Sequence, residues 1–188
     1  MLRALVFLLL TCCASVGLAE DNLAIKFPSP DGRFALRVTG VKVDLIETSG
    51  KVLVDLGTLW VNRDDQTERE EPVLVWSPDS KWVAYGTRTI ESGNTAVYFW
   101  NGMAFEEVRL PAKLPEPKLD TDKVKPKGYA VRPLRWVKPG ELELSSELIG
   151  LMRDEPGHCT ARIRITVTLT TPHAIVKKVG KTEASVSE

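Results

Sequence analysis

The chain has 188 residues, 43% of them hydrophobic, with 25 basic and 25 acidic side chains. That length suits one domain with a real core, and zero formal net charge argues against the basic face of a nucleic-acid binder. The composition is neither disordered, collagenous nor disulfide-dense, and no internal stretch reaches the ~20 apolar residues of a membrane-spanning helix.

Residues 1–19 stand apart. Arg3 is their only charge, Ala4 to Leu10 is unbroken apolar, and small residues lead to Gly17-Leu18-Ala19. A basic start, an apolar centre and a small-x-small site predict a secretory signal peptide cleaved after Ala19, hence an exported, periplasmic or secreted protein. The rival is a lipoprotein signal with lipid on Cys12 or Cys13. The residues before them, Leu10-Thr11 and Thr11-Cys12, fit a lipobox poorly. A retained anchor helix is disfavoured because the apolar run is short. The cleaved chain keeps only Cys159, so it forms no internal disulfide and no cysteine-based metal site.

From there alternation by two dominates, punctuated by Pro, Gly, Asp and Ser. Strands are expected at Arg33 to Val38, Val41 to Leu45 and Lys51 to Leu56. Asn62 to Pro72 follows as a charged loop, with Arg63, Asp64, Asp65, Glu68, Arg69, Glu70 and Glu71 but no calcium-loop spacing. Further strands are expected at Val73–Trp76, Lys81–Arg88, Thr95–Trp100 and Val108–Leu110. Pro111 to Pro133 holds five of the twelve prolines and reads as a 23-residue loop, either a mobile spacer or a stiff, mildly basic contact arm. The last strands are expected at Leu134–Val137, Glu141–Ser145 and Arg162–Thr170. Residues 177–188 read as a disordered tail. The domain plan is a signal peptide at 1–19, a single β domain at 20–176 and that tail. The fold class is all-β, an antiparallel meander of about three units near 25–60, 73–110 and 133–170.

The units are marked by a weak internal repeat. Ser29-Pro30-Asp31-Gly32 opens the first and Ser77-Pro78-Asp79-Ser80 the second, 48 residues later. Trp136-Val137-Lys138-Pro139-Gly140 is a degenerate third. In such turns Pro pre-sets φ, Asp bonds its own backbone and Gly supplies a free φ. The run Val75-Trp76-Ser77-Pro78-Asp79-Ser80-Lys81-Trp82-Val83-Ala84-Tyr85 resembles the TolB-like and WD-type β-propeller repeats. The resemblance implies propeller blades, but a closed propeller needs about four to eight of them. Three units imply an open propeller-like stack or a β-sandwich, and propeller functions do not carry over.

The faces order the units. Phe34, Leu36 and Val38 oppose Arg33, Ala35 and Arg37 in the first; Ile163, Ile165, Val167 and Leu169 oppose Arg162, Arg164, Thr166 and Thr168 in the third. Each has one wet face. The second is apolar on both: Trp82 and Ala84 oppose Val83 and Tyr85, and Ala96, Tyr98 and Trp100 oppose Val97 and Phe99. Burying such side chains contributes roughly 1.5–3 kcal/mol each, so the second unit belongs in the middle. A homodimer is the alternative cover for one of its faces.

Catalytic groups are few. His158 and Cys159 are neighbours in a strand and point to opposite faces. The loop at 150–160 offers Asp154, Glu155 and His158, and His173 is the only other histidine. No phosphate loop, nucleophile elbow, metal motif or cofactor motif is present. The expected function is a secreted or periplasmic binding or assembly module whose partner is a protein or an envelope polymer. Candidate contact residues are Trp60, Ser92, Lys123, Lys125, Lys127 and Tyr129. Two alternatives remain. One is an inhibitor of an envelope hydrolase, because Ser92-Gly93 with Tyr98 resembles the Ser-Gly…Tyr loop of periplasmic lysozyme inhibitors. The other is a hydrolase using the carboxylates and histidine of the 150–160 loop.

Overall fold

A computed structural model describes residues 23–61, 70–88, 92–153 and 157–187. The expected signal peptide, residues 62–69 of the charged loop, and Asp154 and Glu155 lie outside the described residues.

The fold is all-β and is built as three sheets. The first is a meander of β1 (Leu23–Lys26), β2 (Phe34–Thr39), β3 (Lys42–Glu47) and β4 (Val52–Thr58), in spatial order of sequence. The second comprises β5 (Glu71–Trp76), β6 (Trp82–Arg88), β8 (Thr95–Trp100) and β9 (Phe105–Glu107), with the two-residue β7 (Ser92–Gly93) between β6 and β8 in the chain. The third comprises β10 (Val124–Lys138), β11 (Glu141–Met152), β12 (His158–Thr170) and β13 (His173–Val179). It is widened by β7 on β10 and by β14 (Glu183–Ser187) on β12.

Each sheet places its turn motif between its first and second strands. Ser29 and Ser77 do identical work there. Each N–H donates to the carbonyl five residues on, Phe34 at 2.8 Å and Trp82 at 2.9 Å. Each hydroxyl accepts the N–H of that same residue at 3.0 Å and donates to an aspartate, Asp31 or Asp79. The fourth position takes positive φ in all three turns: Gly32 at 71°, Ser80 at 56° and Gly140 at 75°. A side chain rarely adopts this conformation, and Ser80 has a reason to. Its hydroxyl accepts the Asp31 N–H at 3.1 Å, fastening the second turn to the first.

A second device repeats between units. Trp76 Nε1 donates to the Phe27 carbonyl at 2.8 Å, and Trp136 Nε1 donates to the Val75 carbonyl at 2.9 Å. Phe27 and Val75 each stand two residues before their own unit's turn, so each indole grips the equivalent carbonyl of the preceding unit.

The second sheet is buried on both faces. Toward the first sheet, Val83, Tyr85, Leu74 and Tyr98 meet Phe34, Leu36, Val38, Val43 and Leu45. An aromatic cluster of Phe34, Trp76, Trp100 and Phe105 lies there, with ring centres 5.0–6.1 Å apart. Toward the third sheet, Ala84, Val97, Trp82 and Phe99 meet Trp136, Leu142, Leu144, Ile163, Ile165 and Val167. Val83 and Val97, on opposite faces, are both fully buried, which agrees with placing this sheet in the middle. One chain supplies both covers. The outer face of the third sheet is an ion-pair ladder: Glu141 with Lys138 and Lys177, Glu143 with Arg135, and Glu147 with Arg132 and Arg162. The outer face of the first sheet is less open than expected. Ala35 and Ile46, an opposed pair, are buried there, and Asp44 sits against Arg37 at 2.7 Å.

Two expectations need correction. Residues 124–133 are neither loop nor free arm but the first ten residues of β10. Pro126 and Pro133 flank register shifts in the β10–β11 ladder, where a missing N–H is tolerated. The remaining 111–123 segment is a strap. Leu114 and Pro117 are buried, the Pro115 carbonyl accepts the Ser146 hydroxyl at 2.8 Å, and Lys118 N–H reaches Thr182 Oγ1. Of the expected disordered tail at 177–188, the described residues 177–187 are ordered strand and connection. They complete β13 and add β14, because β13 leaves β12 at Ile165 and frees the edge from His158 to Arg162.

Candidate functional site

A cleft of about 450 Å³ opens where the first sheet meets the start of β5. β1 contributes Ala24 and Lys26, which face inward because they pair with Val38 and Leu36. The β2–β3 turn contributes Gly40 and Val41, and the segment after β4 contributes Leu59 and Val61. Glu70, Glu71 and Pro72 close the far side.

Backbone bonds hold these walls. Leu59 N–H donates to the Val41 carbonyl at 2.8 Å. Glu70 N–H donates to the Trp60 carbonyl at 2.8 Å, and Trp60 N–H donates to Glu70 Oε2 at 2.9 Å. Glu70 also acts on the core behind it. Burial, with the Glu70 carboxylate and Tyr98 nearby, pushes the Tyr85 hydroxyl up to about 12.

Two lining residues are exposed apolar groups, Phe27 at 39% and Val41 at 45%. Phe27 also has φ of +52°, a strained choice for a bulky residue, and Pro28 narrows its options further. A residue so exposed gains little from packing, and the Trp76 indole on its carbonyl holds the strain in place. Among the described residues neither the Lys26 nor the Glu71 side chain has a hydrogen-bond or ion-pair partner. Among the described residues the cleft therefore presents polar and apolar surface in similar measure, with the side chains of Lys26 and Glu71 unpaired.

No protein-family model matches this chain, and no curated protein matches it.

The residues expected from the sequence fall in two places. Trp60 stands in the cleft wall between Leu59 and Val61 with its indole 50% exposed, although the ring is not part of the lining. The others gather at β10, far along the chain from Trp60. Ser92 pairs directly with Tyr129, and Gly93 with Ala130, in a short parallel ladder. The Ser146 hydroxyl gives its proton to Pro115, so the Tyr129 hydroxyl, 3.1 Å away, is the donor to Ser146. Lys123 lies 3.8 Å from Asp120, and Lys125 and Lys127 are exposed on the first turns of β10. Tyr98 does not join Ser92 in one protruding feature, since it packs in the core between the first and second sheets. His158 is exposed and Cys159 buried, on opposite faces of β12. Among the described residues no three His, Cys, Asp or Glu side chains gather to hold a metal.

Lys26, Phe27, Val41 and Glu71 are not among the contact residues expected from the sequence. Phe27-Pro28 directly before the turn was the available signal: a large aromatic at a position that the repeat fills with Val75 in the second unit.

Proposed function

We propose that this chain is an exported, β-propeller-like binding or assembly module whose contact surface is the cleft between its first two sheets. The observation that carries the reading is the concentration of strained, exposed Phe27, exposed Val41, and unpaired Lys26 and Glu71 around one 450 Å³ hollow. A hollow of that size, mixing apolar side chains with a few charged groups, suits a recognition site. Kinship with propeller repeats is supported by the identical bonding of the Ser29 and Ser77 turns and by the repeated tryptophan grip. Export is supported by the pattern of residues 1–19.

The test is a photocrosslinking residue placed at Val41 in the full chain, expressed in a bacterial host with a periplasm. A matched probe at Met103, 83% exposed on the β8–β9 hairpin, serves as control. The expected result is a periplasmic protein lacking residues 1–19 and a discrete adduct from position 41 alone. Retention of residues 1–19 in the cytoplasm overturns export. No adduct, or the same adducts from both positions, overturns the cleft as contact surface.

A further inference from the structure

We infer that the occupant of this cleft is an extended peptide segment of a partner protein, alternating aliphatic and basic side chains, that pairs with the open edge of β1. The inference rests on the cleft being the contact surface.

The backbone gives the first argument. β1 ends the order of its sheet, and among the described residues no strand pairs with its other side. The two-residue β2–β3 turn makes Thr39 and Lys42 a bonded pair, so Val38 and Leu36 bond to Ala24 and Lys26, and the Ile25 N–H and C=O face the other side of β1. Open edges in soluble proteins are usually blunted by proline, a bulge or an inward charge. Within β1 there is no proline and no bulge; Lys26 is its one inward charge and lines the cleft, and Ile25 is left 64% exposed. An edge of this kind is a template for an added strand.

The cleft beside that edge gives the second argument. Ala24 and Lys26 line it from the inner face of β1. A strand added next to them would send alternate side chains over the hollow, where Phe27, Val38, Val41 and Leu59 offer an apolar seat. Among the described residues the lining carries two carboxylates, Glu70 and Glu71, and one cation, Lys26. Glu70 is held by the Trp60 N–H, while Glu71 is unpaired. That balance favours a basic residue on the incoming strand.

The test uses the whole protein and four probes. These are acetyl-Lys-Val-Lys-Val-Lys-Val-Lys-amide, its Glu-for-Lys counterpart, the Lys-Val peptide N-methylated at alternate residues, and chitohexaose. Binding is read by calorimetry and by Trp fluorescence. The Lys-Val peptide is expected to bind saturably and the Glu-Val peptide more weakly. N-methylation is expected to abolish binding, since it blocks main-chain pairing and keeps the side chains. Glu71→Lys is expected to weaken the Lys-Val peptide about fivefold or more, from loss of one exposed pair plus new repulsion. Val41→Glu should weaken it too. Both sites are exposed, and an unchanged thermal midpoint shows that the variants are folded. Equal binding of the two charge types, undiminished binding of the N-methylated peptide, or binding of chitohexaose instead overturns the inference. If Val41 crosslinks a partner in cells but the Lys-Val peptide does not bind, the peptide inference falls and the contact surface stands. If Val41 gives no adduct, the surface itself falls.

Discussion

The fourth turn position is where one residue settles between two physical demands. Gly32 meets positive φ at no steric cost, whereas Ser80 accepts the strain and gains a bond to the Asp31 N–H. The two terms separate by substitution. Ser80→Ala keeps the strain and deserts the Asp31 N–H, and is expected to cost about 1–3 kcal/mol. Ser80→Gly also loses the bond but releases the strain, and should cost distinctly less. Urea unfolding of the two variants checks the order, and equal losses would mean that strain at Ser80 is negligible. A second residue-scale consequence concerns alkali. Tyr85 is nearly buried, and its hydroxyl is raised from 10.0 to about 12, by burial first and then by Glu70 and Tyr98. A neutral group whose folded value is raised lends stability that is whole below pH 10 and is lost as pH rises through about 12. Tyr85→Phe is therefore expected to flatten the fall in thermal midpoint between those limits. Absorbance at 295 nm should lose its latest ionisation step in the same variant.

At the scale of elements, legibility followed side-chain alternation and failed where main-chain pairing acts without it. β2, β6, β8 and β12 show clear period-two patterns, and each was placed to within a residue or two at most ends. Val124 to Pro133 has two prolines, three lysines or arginines and a glycine, which is loop chemistry by composition. It is nevertheless a strand, since bulges at the prolines release the ladder and the strap supplies an apolar cover that no local pattern reveals. β14 is subtler still. Every residue from Lys181 to Val186 is exposed, so only the ladder to β12 defines it, and a ladder leaves no hydrophobic trace. The cleft was half legible: Trp60 marks its wall, but Phe27, Val41 and Glu71 meet only through the crossing of the two sheets. One glycine reports how close the second and third sheets approach. A Cβ at Gly86 would lie 2.8 Å from Pro133 Cδ and 3.1 Å from the Asn94 carbonyl. The proline ring is stiff, so Gly86→Ala is expected to cost about 1–3 kcal/mol through overpacking. Adding Pro133→Ala should recover part of that loss. A double-mutant cycle reads the coupling, and strictly additive losses would place the strain elsewhere.

Across the whole molecule, the stack repeats one joint and then stops it at both ends. Trp76 and Trp136 each reach back to the preceding unit, but the first unit has Pro28 at the equivalent position and cannot reach further back. Both outer faces carry ion pairs where the middle sheet carries aromatic and aliphatic side chains. Asp44 is 2% exposed on the outer face of the first sheet, held by Arg37 at 2.7 Å with Lys42 at 3.4 Å. Burial alone would raise its carboxyl, yet the hydrogen bonds and charges of Arg37 and Lys42 bring it below the ordinary aspartate value. A pair of this kind adds little stability over an apolar replacement, so its value lies in what it prevents. Asp44→Ala alone leaves a part-buried guanidinium without its partner and is expected to cost about 1–3 kcal/mol. Arg37→Leu with Asp44→Leu should leave the thermal midpoint nearly unchanged. Those two leucines beside Ile46 turn the outer face into another apolar sheet face, matching the kind that the second sheet buries twice. The double variant is therefore expected to self-associate in light scattering at concentrations where the parent keeps a constant mass. A double variant that unfolds early, or that keeps the parent's mass, would show that these charges hold the sheet together and do not act as its end cap.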